Sequence, residues 1–150
     1  ILDTRKTTPG IRIFEKYAVK CGGGENHRFD LSKGFMVKDN HINSNGGISK
    51  TILKSQKSRL PLQVEIDNIK QLKECLNFSI DAVLLDNMSP QKIKECIKII
   101  RESNKNIFIE VSGGINIKTL DRFLIDGVNA ISVGSIIHQA VFKNIKLEFL

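Results

Sequence analysis

Two charged residues stand where an apolar strand pattern calls for none. Lys38 follows directly on Phe35-Met36-Val37, and Glu65 sits between Val64 and Ile66. A charge inside such a run is costly to bury unless it is paired or meets a ligand. Arg5, Lys6, His27 and Arg28 add a basic cluster. An arginine grips a carboxylate or phosphate with two parallel hydrogen bonds, and a lysine supplies a point charge. Five such groups on one rim would repel one another without anionic ligands. Glu65 and Asp86 supply oxygen ligands for ribose hydroxyls or for Mg²⁺. They could equally neutralise Lys38 or Arg5 within the protein. Two glycine turns complete the set, Ser112-Gly113-Gly114 and Val133-Gly134-Ser135. Backbone N–H groups in turns of this kind cradle phosphates. Together these residues read as a site for a phosphorylated sugar and a small polycarboxylate.

The elements that must hold them alternate. Six short apolar runs, at 1–2, 35–37, 62–66, 82–85, 107–111 and 130–133, each end on polar or glycine residues. Between them lie helical patterns. Ile93, Cys96, Ile97 and Ile100 form one apolar stripe, and Ser89-Pro90 signals its start. Ile69, Leu72 and Leu76 form a shorter one, and Leu120, Phe123 and Leu124 mark a helix that Gly127 stops. The pattern predicts a first helix over 9–19, ended by Cys21-Gly22-Gly23-Gly24, with Arg12, Glu15 and Lys16 on its solvated face. Residues 25–33 and 43–50 read as weakly structured, the second as a surface loop around Asn45-Gly46-Gly47. Strands joined by helical crossovers imply a parallel sheet, either doubly wound or a barrel. The regular strand spacing after Pro61 favours an incomplete, open α/β barrel of about six parallel strands. In such folds ligands bind at the carboxyl ends of the strands, and the runs end on Asp3 to Lys6, Lys38 to His41, Asp86-Asn87, Ser112 to Gly114 and Gly134-Ser135, with Glu65 inside or at the end of its own.

With 150 residues, 41% hydrophobic and 26% charged, the chain is one globular domain, 1–150. The net charge of +7 comes from 17 Lys and 6 Arg against 16 acidic residues. It suits anionic partners. The lysines are scattered and the chain has one Tyr and no Trp, so nucleic acid is not the expected partner. No apolar run approaches a membrane span. Cys21, Cys75 and Cys96 have no metal spacing. Their odd number and the lack of a signal segment point to free thiols and the cytoplasm. The chain opens on the end of a strand without an initiator Met, as a fragment of a longer protein would.

In order along the chain stand Asp3-Thr4-Arg5-Lys6-Thr7-Thr8-Pro9-Gly10, Gly22-Gly23-Gly24 with Asn26-His27-Arg28, and Val37-Lys38-Asp39-Asn40-His41-Ile42. Val64-Glu65-Ile66, Leu84-Leu85-Asp86-Asn87, Ser112-Gly113-Gly114-Ile115 and Ser132-Val133-Gly134 follow. Over essentially all its length the chain resembles the C-terminal barrel of the quinolinate phosphoribosyltransferases, the carboxylating nicotinate-nucleotide pyrophosphorylases. The resemblance implies transfer of the phosphoribosyl group of phosphoribosyl pyrophosphate to quinolinate with decarboxylation, giving nicotinate mononucleotide in NAD biosynthesis. It implies an N-terminal α/β sandwich domain, absent here, and a homodimer or higher homo-oligomer whose partner N-terminal domain completes each site. By position, Arg5, His27, Arg28 and Lys38 would hold the quinolinate carboxylates. Thr4 and Lys6 would line the same pocket, with Lys6 near the phosphoribosyl donor. Glu65 and Asp86 would contact the ribose hydroxyls and the Mg²⁺ bound to pyrophosphate, so Lys38, Glu65 and Asp86 carry the chemistry. Ser112, Gly113, Gly114, Val133, Gly134 and Ser135 would cradle the 5′-phosphate, and His138 matches a family histidine. Asp30 and Gln63 depart from the pattern: Asp30 adds a negative charge near an anion site, and Gln63 stands where an acidic residue is common. A paralogue with the same barrel and another acceptor, and a non-catalytic phosphate-binding fragment, are the other readings.

Overall fold

The computed structural model describes residues 1–149. Five parallel strands form one sheet in the order β1-β2-β3-β4-β5. They are β1 (Phe35–Val37), β2 (Leu62–Ile66), β3 (Ala82–Asp86), β4 (Phe108–Ser112) and β5 (Ala130–Ile131). The helices are α1 (Arg12–Cys21), α2 (Asp39–Ser44), α3 (Ile48–Ser55), α4 (Ile69–Cys75), α5 (Pro90–Glu102) and α6 (Ser135–His138), with a 3₁₀ turn at Leu120–Phe123.

Side-chain alternation along the strands creates two unlike faces. Leu62, Val64 and Ile66 of β2 are buried with Val83, Leu85, Ile109, Val111 and Ile131 in the apolar core. That core is closed by the stripes of α3, α4 and α5. On α5, Ile93, Cys96, Ile97 and Ile100 are all buried. Each fully buried aliphatic side chain contributes about 1.5–3 kcal/mol. Ser89 caps this helix by accepting the Lys92 N–H, and Asn68 caps α4 by accepting the Gln71 N–H at 2.9 Å. The opposite face of the sheet carries Met36, Gln63, Glu65, Leu84, Asp86, Glu110 and Ser112. Parallel register sets Glu65 beside Leu84, Leu84 beside Glu110, and Asp86 beside Ser112. The polar positions therefore converge on the concave side.

The sixth run, at 1–2, does not lengthen into a strand. Leu2 instead forms single parallel bridges to Ser132 and to Glu25. Its N–H donates to Ile131 O at 2.8 Å, and its carbonyl accepts the Val133 N–H at 2.9 Å. The sheet thus continues past β5 through Leu2 to Glu25, and no ladder joins Glu25 to β1 among the described residues. This is an open barrel with five strands where about six were expected.

Two local expectations change. Residues 43–50 are mostly helical, and only the Gly46-Gly47 turn, with φ of +73° and +125°, separates α2 from α3. The buried face of α3 is Ile48, Thr51, Ile52 and Ser55. Its two hydroxyls hide the apolar period, and they are satisfied by backbone carbonyls, Thr51 on Gly47 and Ser55 on Thr51, both at 2.8 Å. The helix expected over 9–19 begins at Arg12. Pro9 and Gly10 make a turn that Glu15 ties down by accepting the Thr8 N–H at 2.8 Å.

Candidate functional site

The concave side holds a cavity of about 350 Å³ at the carboxyl ends of the strands. Lys38 reaches it from the end of β1, Glu65 from β2, Asp86 from β3, and Glu110 and Ser112 from β4. Thr4, Arg5 and Lys6 enter from the segment after the Leu2 bridge, and His27 and Arg28 from the segment after Glu25. A smaller cavity of about 160 Å³ adjoins it, lined by Gly113, Gly114, Gly134, Ser135 and His138, and shares Thr4, Lys6, Ser112 and Ser132 with the first. Thirteen of the fourteen residues read from the sequence line one or the other. Val133 lines neither. Its side chain is packed in the core and its N–H is taken by Leu2 O, because alternation along β5 turns it away from Ser132.

Charge in the larger cavity is only partly paired. Lys38 Nζ and Glu65 contact each other directly, which neutralises both in part. Arg28 Nη1 donates to Gly34 O at 2.5 Å. Burial pulls the pKa of the Arg28 guanidinium below its ordinary value, the nearby Arg5 adds to that, and Glu110 opposes it. Arg5 Nε is buried with no hydrogen-bond partner. A buried guanidinium N–H left open beside a second arginine is a donor set waiting for an acceptor.

In the smaller cavity Gly113 and Gly114 have φ of +103° and +62°. A Cβ on Gly113 would come within 2.6 Å of Asn87 N. Glycine is required here by backbone conformation and by space. The N–H groups of Gly113, Gly114 and Gly134 have no protein acceptor among the described residues. His138 folds over Gly134, with Nε2 3.1 Å from where a Cβ would stand. His41 serves locally, its Nδ1 accepting the Lys38 N–H at 3.1 Å. Asp30 spends its charge on Ser32, accepting from its N–H at 2.8 Å and its hydroxyl at 2.6 Å.

Three polar residues at or beside the site were not singled out from the sequence. Glu110 stands between Ile109 and Val111, the same signal that marked Glu65, and it lines the cavity. It is almost fully buried and accepts from the Ser132 hydroxyl and from Gln63 Nε2 at 2.7 Å, with His27 Nε2 3.3 Å away. Burial alone would raise its pKa, but His27, Ser132 and Gln63 together hold it below its ordinary 4.5. Lys16, expected on a solvated face, is 2% exposed, and Asp3 is fully buried. Lys16 Nζ donates to Asp3 at 2.7 Å and to His27 O at 3.0 Å. Asp3 also accepts from Asn26 Nδ2 at 2.8 Å and from the His27 N–H at 2.7 Å. The pair ties the segment carrying Arg5 to the segment carrying Arg28.

A model of the family described as "Quinolinate phosphoribosyl transferase, C-terminal domain" matches residues 1–148. This chain belongs to that family. A Bacillus subtilis protein named "Probable nicotinate-nucleotide pyrophosphorylase [carboxylating]" is 40% identical over 99% of this chain and 51% of its own length. The Rattus norvegicus "Nicotinate-nucleotide pyrophosphorylase [carboxylating]" is 36% identical over 99% of this chain and 50% of its own. The crystal structure of the nicotinate-nucleotide pyrophosphorylase from Ehrlichia chaffeensis superposes with a TM-score of 0.84 at 41% identity, covering 92% of this chain and 50% of that one. The chain therefore spans about half the length of the quinolinate phosphoribosyltransferase relatives it matches.

Proposed function

We propose that the full-length protein transfers the phosphoribosyl group of phosphoribosyl pyrophosphate to the ring nitrogen of quinolinate, releasing pyrophosphate and CO₂ and forming nicotinate mononucleotide. It is then a decarboxylating pentosyltransferase of NAD biosynthesis. The observation that carries this reading is the buried, unpartnered Nε of Arg5 in a cavity that Arg28, Lys38, Glu65 and Asp86 also line. Cations and acids lining one cavity suit an acceptor with two carboxylates and a donor that develops positive charge on its ribose.

Arg5, Arg28 and Lys38 take the quinolinate carboxylates. Lys38 exchanges part of its contact with Glu65 for the substrate. Lys6 and Thr4, which line both cavities, sit where the acceptor meets the donor. The 5′-phosphate rests on Ser112, Gly113, Gly114, Gly134 and Ser135. Glu65 and Asp86 hold the ribose hydroxyls and stabilise the oxocarbenium-like charge that grows as pyrophosphate departs. The quinolinate nitrogen attacks, the ring becomes a pyridinium, that electron sink releases the adjacent carboxylate as CO₂, and the ring carbon it leaves takes up a proton from water. No covalent enzyme intermediate is needed, and the protein contributes position and electrostatics.

No group of three or more His, Cys, Asp or Glu able to hold a metal ion occurs among the described residues. Two carboxylates on the cavity wall fit a Mg²⁺ that enters with its pyrophosphate and is held chiefly by the substrate. The account also takes the family's N-terminal domain, supplied by a partner subunit of a homodimer or higher homo-oligomer, as the cover of the open cavity. The exposed Ile13, Phe14 and Tyr17 of α1 support a packed neighbour. A cytoplasmic location fits three free cysteines, and among the described residues no helix is long and apolar enough to cross a membrane.

The test compares acceptors in the full-length protein with phosphoribosyl pyrophosphate and Mg²⁺. Quinolinate should give nicotinate mononucleotide, and nicotinate, which lacks the second carboxylate, should react at least a hundredfold less efficiently. Equal use of both acceptors, or pyrophosphate release only with some other acceptor, would sink the reading.

A further inference from the structure

Among the described residues Asn87 is one of two other than glycine with a positive φ, +52°, the left-handed region that most side chains avoid. It directly follows Asp86 at the end of β3. Its N–H donates to Ser112 O at 2.9 Å, which carries the β3–β4 ladder one residue beyond the Asp86–Ser112 pair. Its Nδ2 donates to Asp86 Oδ2 at 2.8 Å. The opposite amide orientation would set an oxygen against the carboxylate. Asn87 also fills the space where a Cβ of Gly113 would stand, its Cγ and its backbone N each 2.6 Å from that point. It lines neither cavity of the site. It lines a separate cleft with Met88, Ser89 and Arg122, and Gly113 and Gly114 line that cleft as well as the smaller cavity. One residue thus touches an acid of the larger cavity and the glycine turn of the smaller one.

We propose that Asn87 is a positioning residue for the phosphoribosyl donor: it holds the Asp86 carboxylate and braces the Gly113-Gly114 turn, and so fixes the separation between the ribose site and the 5′-phosphate site. The proposal rests on the phosphoribosyl-transfer reading for the identity of that donor. Two demands meet at this position. The left-handed backbone suits glycine, asparagine and aspartate. Glycine has no donor to offer Asp86. Aspartate would press a second carboxylate against the first, and like charges in contact repel. Asparagine meets both demands. With Nδ2 on Oδ2 the carboxylate is held in one orientation, and its Oδ1, which receives no protein donor among the described residues, is left for a ribose hydroxyl. Ribose and 5′-phosphate are joined by a short, stiff link, so an acid and a turn already set at the matching distance lower the ordering cost of binding.

The test uses the full-length protein and two substitutions. Asn87→Gly keeps the left-handed backbone and removes the amide. Asn87→Asp keeps the backbone and the shape and replaces the donor by an acceptor. The probe is ribose 5-phosphate, titrated by calorimetry. Both variants should bind it about tenfold more weakly, the range for losing one hydrogen bond to a charged group when the donor is solvent-exposed. Their kcat/KM for phosphoribosyl pyrophosphate should fall by about the same factor. The affinity for quinolinate alone should stay at the wild-type value, and so should the urea midpoint of Asn87→Gly. A merely structural role would lower both affinities together. Either variant binding ribose 5-phosphate within about twofold of wild type, or losing quinolinate affinity equally, overturns the proposal. A wild type that binds ribose 5-phosphate but forms no nicotinate mononucleotide overturns the phosphoribosyl-transfer reading instead, and the titrations still decide the role of Asn87. A wild type that does not bind the sugar phosphate overturns both.

Discussion

Removing the amine of Lys16 should unfold the site from behind. In Lys16→Met the aliphatic stem stays packed, but Asp3, fully buried, loses its only cationic partner among the described residues. Breaking one side of a buried ion pair destabilises by roughly 3–5 kcal/mol, because the remaining charge is left uncompensated. Asp3 keeps two donors, Asn26 Nδ2 and the His27 N–H, at 2.8 and 2.7 Å. The loss should therefore fall at the low end, about 3 kcal/mol, a large share of the ~5–15 kcal/mol that separates folded from unfolded domains. Urea unfolding of the full-length protein measures it as a fall in midpoint at constant slope. A second variant isolates the pair. Asp3→Asn combined with Lys16→Met should be less destabilised than the two single losses added, by about 2 kcal/mol or more of coupling. A loss for Lys16→Met within ~0.5 kcal/mol, the range of an ordinary surface change, would refute the buried pair.

Lys38→Ala should weaken quinolinate binding by about 2 kcal/mol, near thirtyfold in KM, a modest figure because the side chain is about half-exposed and already shared with Glu65; calorimetry showing unchanged affinity would remove Lys38 from the acceptor site. Gly113→Ala should cost about 1–3 kcal/mol in stability from its φ of +103°, and should abolish binding of phosphoribosyl pyrophosphate because the clash of the added methyl with Asn87 forces the turn out of place. A fully active alanine variant would show that the turn cradles nothing. Glu110 is held below its ordinary 4.5 in the folded protein, so its stabilisation is complete above that pH and is lost as pH falls through the lower folded value. Glu110→Gln should accordingly flatten the acid limb of the stability curve, and an unchanged limb would contradict the buried network. Burial pushes the thiols of Cys75 and Cys96 up to about 12 and about 11, whereas Cys21 is exposed. Alkylation of this chain in the native protein at pH 8 should modify Cys21 alone, and mass spectrometry finding Cys75 or Cys96 modified would show the core to be open.

The parts of the site that sequence revealed share one property: their residue type conflicts with their local pattern. Lys38 and Glu65 interrupt apolar strands, and the glycines of 112–114 and 133–135 punctuate strand ends. Glu110 carries the same conflict, and reading it beside Glu65 would have placed it on the concave face. Lys16 gives no such signal. On α1 it sits among polar and aromatic neighbours, and only the three-dimensional closure of Leu2 against Ile131 and Glu25 brings Asp3 and His27 over it. Burial by long-range contact leaves no mark on local spacing. The segment of α3 reads as loop because hydroxyls occupy half its buried face and donate their hydrogen bonds to nearby backbone carbonyls. Val133 was misplaced by treating a βα turn as a unit, when alternation at the end of β5 sends Ser132 to the cavity and Val133 to the core.

The central claim is that the cationic side chains of the cavity hold a dicarboxylate while its carboxylates and the adjoining glycine turns hold a phosphoribosyl donor. The most direct measurement is release of labelled CO₂ from quinolinate carrying ¹⁴C in its 2-carboxylate. It uses the full-length protein with phosphoribosyl pyrophosphate and Mg²⁺, beside an Arg5→Ala variant. One CO₂ per nicotinate mononucleotide in the wild type, with both lost together in Arg5→Ala, is the predicted result. Nucleotide formed without CO₂, or CO₂ release undiminished by Arg5→Ala, would contradict it.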